Sequence, residues 1–339
     1  MSAIDVEKLL LPVTDDSPCG DDLEYDPAFQ ELERTASIDA SGSMVGKEEE
    51  PEPPNWREVA KQAETLLGQT KDLRAAMYLT KARLDTHGVV GLGDGIALIK
   101  GLLNDYWDEV HPRLDEEDDN DPTMRINSIL SLVDPDEVIR QLHDVPLVRG
   151  KRAGSYSLHD IRVANGEIAA PGGTEPPEIG IINAAFQESE LEELQASADS
   201  VTKAIDDLQA IDGYLTEKVG PTNNTLTVKP MVDELIGISK IYAEQLKARG
   251  VDVEPAAEGA AETGASRPVS GEITSREDAI RMLDKVSEYF RRNEPSSPVP
   301  MLLQRAKGLI SKDFMEILRD LTPDAISQAE LYSRPANED

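Results

Sequence analysis

Apolar residues return every three or four positions along most of this chain, and proline or glycine punctuates the runs. That spacing puts them on one face of a helix; a half-buried strand would need strict alternation. Residues 2–11 read as a short amphipathic helix ended by Pro12, and residues 27–37 as another. Asn55, with Glu58 three positions on, starts a helix whose apolar face is Val59, Ala63, Leu66 and Leu67. Leu73, Ala76, Met77, Thr80 and Leu84 make the next stripe. A third runs from Leu92 through Ile96, Ile99, Leu103 and Trp107 to Val110, before Pro112. Asp121-Pro122 and Asp134-Pro135 open two shorter helices. Only residues 145–148 and 156–163 read as strands, and together they predict a small hairpin.

After a Pro/Gly-rich stretch at 169–177, residues 189–219 and 229–249 form two long apolar stripes separated by GPTNN. They predict an antiparallel helical hairpin. Residues 250–271 are rich in Ala, Glu, Gly and Pro and read as a flexible linker. Beyond it, Pro295, Pro298 and Pro300 enter a compact pair of short amphipathic helices. Leu302, Leu303, Ala306 and Leu309 line the first, and Phe314, Ile317 and Leu318 the second. Helices this short need something to pack against, so these residues are expected to form an oligomerisation surface. The expected class is all-α. An N-terminal helical bundle with a β-hairpin spans 1–168, a middle helical hairpin 178–250, a linker 251–272 and a C-terminal oligomerisation module 273–334.

Charge narrows the partners. The chain carries 66 acidic against 34 basic residues, a net charge of −32, so it should repel nucleic acid and anionic membrane surfaces. Residues 273–334 hold ten basic and ten acidic residues, so nearly all the excess acid lies upstream. A neutral module can gather in many copies with little repulsion. Its basic grouping of Arg291, Arg292, Arg305, Lys307 and Lys312 either salt-bridges within the module or meets an acidic face on another subunit. The acidic run Asp115, Glu116, Glu117, Asp118 and Asp119 lacks the spacing and central glycine of a calcium loop. It is either a solvated loop or a partner-binding segment.

Signatures of catalysis are missing. His87, His111, His143 and His159 have no zinc-type spacing, and the single cysteine, Cys19, rules out an intrachain disulfide. Gly91-Leu92-Gly93-Asp94-Gly95 looks like a phosphate loop, but no Lys-Ser/Thr follows it and no strand precedes it. Close helix packing explains it as well. No apolar run reaches the length of a membrane span, and the opening residues lack a basic, signal-like region. A cytoplasmic protein without cofactor or metal is expected.

Several motifs in order carry a resemblance: SPCGDDLEYDPAFQELE, PPNWREV, KDLRAAMYLTKARL, GLGDGIALIKGLLNDYWDEVHPRLD and DPTMRINSI. They resemble the ImpA-type N-terminal domain of TssA proteins of bacterial type VI secretion. Residues 293–324 resemble the closing module of the shorter TssA class. The resemblance implies a non-enzymatic scaffold that forms homo-oligomeric rings. It would recruit or stabilise the baseplate and prime tube and sheath polymerisation, with baseplate, sheath and tail-tube proteins as partners. A cap on the distal end of the sheath is the alternative within the family. A carboxylate-dependent hydrolase is the alternative outside it.

Overall fold

The computed structural model describes residues 3–37, 53–115, 120–170, 175–219 and 228–251, with 253, 255 and 256. They fall within one compact unit, Met1–Ala261. Leu302, Leu303, Ala306, Leu309, Phe314, Ile317 and Leu318 lie outside the described residues, as do positions 116–119 and the linker from 257 onward.

The described chain is mostly helical, with one small antiparallel hairpin. Helix α1 (Val6–Leu10) starts later than the sequence predicts. The Asp94 carboxylate accepts the Ala3 and Ile4 amides at 2.5 and 3.1 Å, which diverts the first residues from a helical turn. Asp26 caps α2 (Pro27–Ala36) through the Ala28 amide, and Asn55 caps α3 (Trp56–Leu67) through that of Glu58.

Helix α4 (Leu73–Tyr106) organises everything else. It is two arms folded sharply at Gly88, whose φ of 63° and ψ of −146° only glycine adopts without strain. The arms lie antiparallel and very close. A Cβ on Gly91 would stand 2.1 Å from the Arg83 carbonyl oxygen, and one on Gly95 would stand 2.4 Å from Thr80 Oγ1. The glycine pattern that resembled a phosphate loop is therefore a helix-packing seam. Gly101 likewise admits Leu10 of α1.

Helices α5 (Thr123–Ile129) and α6 (Val138–Asp144) pack on α4. Strands β1 (Pro146–Gly150) and β2 (Gly154–Ser157) follow, pairing Val148 with Tyr156 and Gly150 with Gly154. The second strand stops sooner than the expected 156–163. Ser157 and Asp160 form a reciprocal capping box that turns the chain into α7 (Leu158–Ala164). Helix α8 (Ile179–Glu188) was not expected, and the Glu188 carboxylate accepts the Arg152 and Ala153 amides of the hairpin turn.

Helix α9 (Leu191–Val219) runs along the second arm of α4 in a constant register. Gly93 receives Ser200, Lys100 Nζ meets Asp207 Oδ1 at 2.6 Å, and Trp107 meets Tyr214 edge-on at 5.5 Å between ring centroids. Each step is seven residues on both helices, the repeat of a knobs-into-holes seam. Helix α10 (Lys229–Ala248) packs on α9, with Tyr242 donating its hydroxyl to the Leu147 carbonyl at 2.9 Å. Arg162 of α7 holds Glu234 of α10 at 2.6 Å, and His143 of α6 lies 3.0 Å from the same oxygen. One core therefore joins the bundle before residue 168 to the helices after 178. The chain stays on that core past α10: Val251, Val253 and Ala256 pack against it, and the Ala256 amide donates to Ser239 Oγ.

The arm-to-arm seam is testable. Gly91→Ala and Gly95→Ala should each lower stability by about 1–3 kcal/mol through overpacking. Gly237→Ala in α10, where an added Cβ meets nothing within 4 Å, should be neutral or stabilising by up to about 1 kcal/mol. Urea midpoints of the three variants measure the contrast.

Candidate functional site

Residues from four of the motifs, Cys19 to Asp22, Lys71 to Arg74, His111 and Arg125, meet in one polar knot at the open end of the α4 hairpin. Three backbone segments are stitched there. The Lys71 amide donates to the Cys19 carbonyl at 2.8 Å, and the His111 amide to the Lys71 carbonyl at 2.9 Å. The Leu73 amide returns to the His111 carbonyl at 2.8 Å. His111 Nε2 lies 3.2 Å from the Gly20 carbonyl oxygen, which fits a ring protonated at that nitrogen.

Two arginines lock the knot. Asp72, fully buried, caps the first arm of α4 by accepting the Arg74 amide at 2.7 Å. Its carboxylate also takes the Arg74 guanidinium at 2.7 Å, and that group reaches Glu24 at 2.9 Å and Asp22 at 3.3 Å. Burial works against the Arg74 charge, but the bonds to Asp72 and Glu24 outweigh it and raise its pKa. Arg125 of α5 is fully buried and forms no ion pair with a carboxylate among the described residues. It donates to the carbonyls of Pro112 at 2.7 Å, Val110 at 2.9 Å and Trp107, and its guanidinium lies 5.0 Å from the Trp107 ring centroid. Burial pushes its pKa down to about 10, which still leaves it charged at neutral pH.

The knot is built to hold shape. Cys19 is 1% exposed, and burial first, then the Glu109 charge, pushes its thiol up to about 11. Lys71 is buried and donates its ammonium to the Leu67 carbonyl at 2.9 Å, and burial holds its pKa below the usual lysine range. The Lys71 ammonium thus faces a backbone oxygen. Among the described residues, no three His, Cys, Asp or Glu side chains are placed to hold a metal ion. No described helix is long and apolar enough to cross a membrane.

What the knot displays is an acidic rim. Asp21, Asp22, Glu24 and Asp26 lie on the loop pinned by Arg74, with Tyr25 84% exposed among them. Of the acidic run expected to bind partners, Asp115 is described. Its amide donates to the Asp121 carbonyl at 3.2 Å and closes the neck of that loop, while Glu116, Glu117, Asp118 and Asp119 lie outside the described residues. Sequence reading assigned no role to Arg74, Asp72 or Arg125. The available signal was a charge embedded in an otherwise apolar stripe, as in Met124-Arg125-Ile126.

Residues 10–134 match the family described as ImpA, N-terminal, type VI secretion system. The chain is 39% identical to the type VI secretion system component TssA1 of Pseudomonas aeruginosa, over 99% of this chain and 100% of that protein. The fold matches a solved N-terminal domain, including the conserved ImpA_N region, of the TssA component from Burkholderia cenocepacia. The TM-score is 0.59 at 25% identity, over 74% of this chain and 96% of that domain.

Removing the Arg125 guanidinium should take this donor from two buried carbonyls, Pro112 and Val110, and from the part-buried carbonyl of Trp107. Arg125→Met is expected to cost at least about 2 kcal/mol of stability, read from chemical denaturation. A thiol pKa of about 11 against an ordinary 9.0 leaves about a hundredfold less thiolate near neutral pH. Iodoacetamide should therefore label Cys19 only after the chain is unfolded. Rapid labelling of the native protein, followed by mass spectrometry, would contradict its burial.

Proposed function

The chain belongs to the TssA components of the type VI secretion system, and on that premise we propose that it is a non-enzymatic, cytoplasmic assembly factor. In this reading residues 273–334 build a homo-oligomeric ring, and the folded unit before them is a recruitment arm for baseplate, sheath and tail-tube proteins. The observation that carries it is the use the fold makes of its motif residues. Asp72, Arg74, His111 and Arg125 bind backbone and one another, and so hold an acidic rim in shape. Such residues serve a rigid display surface better than a reaction, because a catalytic group must be able to reach a substrate atom.

Charge distribution supports the division of labour. The net charge of −32 falls almost wholly before residue 273, and the closing 273–334 segment balances ten bases against ten acids. Copies can gather at a neutral module while their acidic arms keep apart. An arm repeated around a ring gains from effective concentration, so each contact can be weak. The acidic run Asp115, Glu116, Glu117, Asp118 and Asp119 would favour basic partner surfaces, chiefly through the association rate.

Truncation separates the two roles. Residues 1–256, which keep every described core contact, should be monomeric or a small oligomer, while the full chain forms a large assembly by light scattering. In the full chain Leu302→Asp or Leu318→Asp should abolish that assembly, because each would bury an unpaired charge. A large assembly from residues 1–256 alone would overturn the assignment of the ring to 273–334.

A further inference from the structure

A cleft of about 770 Å³ opens between α3 and the bend of α4, and its charge runs against that of the whole chain. Arg57, Lys61, Arg83 and Arg149 line it, with Trp56 and His87 between them. Among the described residues Glu64 and Asp85 are its only carboxylates, so the described lining holds four bases to two acids, in a chain where bases are outnumbered 34 to 66. Glu64 is occupied by Arg83 Nη2. Burial raises the Asp85 carboxyl above its ordinary range, with a bond from Gln141 pulling the other way. Lys61 reaches Glu58 only at 3.7 Å. Arg57 and Arg149 are exposed and form no ion pair among the described residues. The imidazole of His87 senses the same field: burial first, then the Arg83 and Arg149 charges, hold its pKa below the ordinary value.

Beyond Trp56 the sign reverses. An adjoining groove of about 580 Å³ shares Pro53, Pro54, Trp56 and Asp85 with the cleft, and among its described lining the acids Asp136, Glu137 and Asp144 outnumber the cations Lys81 and Arg140. Lys81 in that groove is held by Glu137 at 2.5 Å. The two grooves form one trough, basic on one side of the indole and acidic on the other.

We infer that this trough docks an extended peptide segment of a partner protein, with acidic side chains in the Arg57–Arg149 cleft and an apolar side chain against Trp56. A protein segment can change charge from one residue to the next. A polynucleotide cannot, and would carry its phosphates onto Asp136, Glu137 and Asp144. The chain's net negative charge does not forbid such docking, because at physiological salt the screening length is about 8 Å and the nearest charges dominate. The inference rests on reading the folded unit as a recruitment arm and supplies the partner chemistry for it. It makes no use of ring formation.

The test uses the full-length protein and a fluorescein-labelled oligoglutamate peptide with one central leucine, followed by anisotropy. The wild type should bind, and binding should weaken as salt rises. Arg57→Glu/Arg149→Glu should weaken it at least about tenfold, since close charge pairs at interfaces commonly couple that strongly. Lys203→Glu/Lys240→Glu, the same charge change at exposed sites on α9 and α10, should leave it within about twofold. Equal loss in both double variants, or no binding by the wild type, overturns the inference. So does equal competition by single-stranded DNA, which would make the cleft a general anion site. Binding that appears only in Glu48→Gln/Glu49→Gln/Glu50→Gln assigns the cleft to the chain's own acidic stretch and overturns the partner. A change in assembly mass, with peptide binding intact, overturns it in favour of a second copy. The mass of residues 1–256 reads the ring assignment separately, so failure of either idea is distinguishable from failure of the other.

Discussion

The close approach of the two arms of α4 sets the rest of the described structure. Gly91 and Gly95 let the second arm lie against Arg83 and Thr80 of the first at distances no side chain would allow. That approach brings Leu73 at the start of one arm beside His111 just past the other, where their backbones bond. The knot exists because the arms close to that distance. The outer helices then use the pair as a surface: α3 and α5 pack on it from one chain region, and α9 follows the second arm from another. A seam of small residues stabilises through dispersion and through the neighbours it lets in; the glycines themselves bury little apolar area. The cost is local intolerance, since any added carbon must displace backbone or a packed threonine.

Much of this was legible because helical periodicity survives even where the sequence reads ambiguously. The runs beginning at Trp56, Leu73, Leu191 and Lys229 are helices within a residue or two of their expected starts. The misses have physical causes. Helix α8 shows little contrast between its faces: Ile179 and Ile181 are exposed while Ile182 and Phe186 are buried, so no apolar stripe stands out. Residues 156–163 carry apolar side chains at 156, 158, 161 and 163, which resembles a strand, but the reciprocal Ser157–Asp160 cap commits the chain from Leu158 to helix. Buried residues before 168 and after 178 belong to one core, so the Pro/Gly composition of 169–177 does not mark where a core ends.

The candidate site was legible as motifs and opaque as chemistry. Sequence order separates Gly20, Asp72, His111 and Arg125 by tens of residues, and nothing local says that they meet. Their roles are set by desolvation. A buried arginine is tolerable at Arg125, with no carboxylate paired to it among the described residues, because three fixed carbonyl dipoles and the Trp107 face replace its hydration. Arg74 is the opposite case, a half-buried cation shared among Asp72, Glu24 and Asp22. It ties a surface loop to a helix start, so the rim around Tyr25 inherits the rigidity of the core.

Electrostatics acts on this protein at two ranges. Away from the surface the summed charge sets the sign of the weak residual field, and that sum is strongly negative. Within a few ångströms the arrangement matters instead, and the fold has placed several of its scarce cations together. Arg83 is drawn to the α3 side by Glu64, while Arg149 stands on the exposed face of β1 in the same cleft. That juxtaposition depends on the bend at Gly88, which turns the end of the first arm towards the hairpin: a Cβ built on Gly88 would stand 3.6 Å from the Pro146 carbonyl oxygen of β1. The backbone turn that closes the core thus also gathers basic side chains in a cleft of this acidic protein.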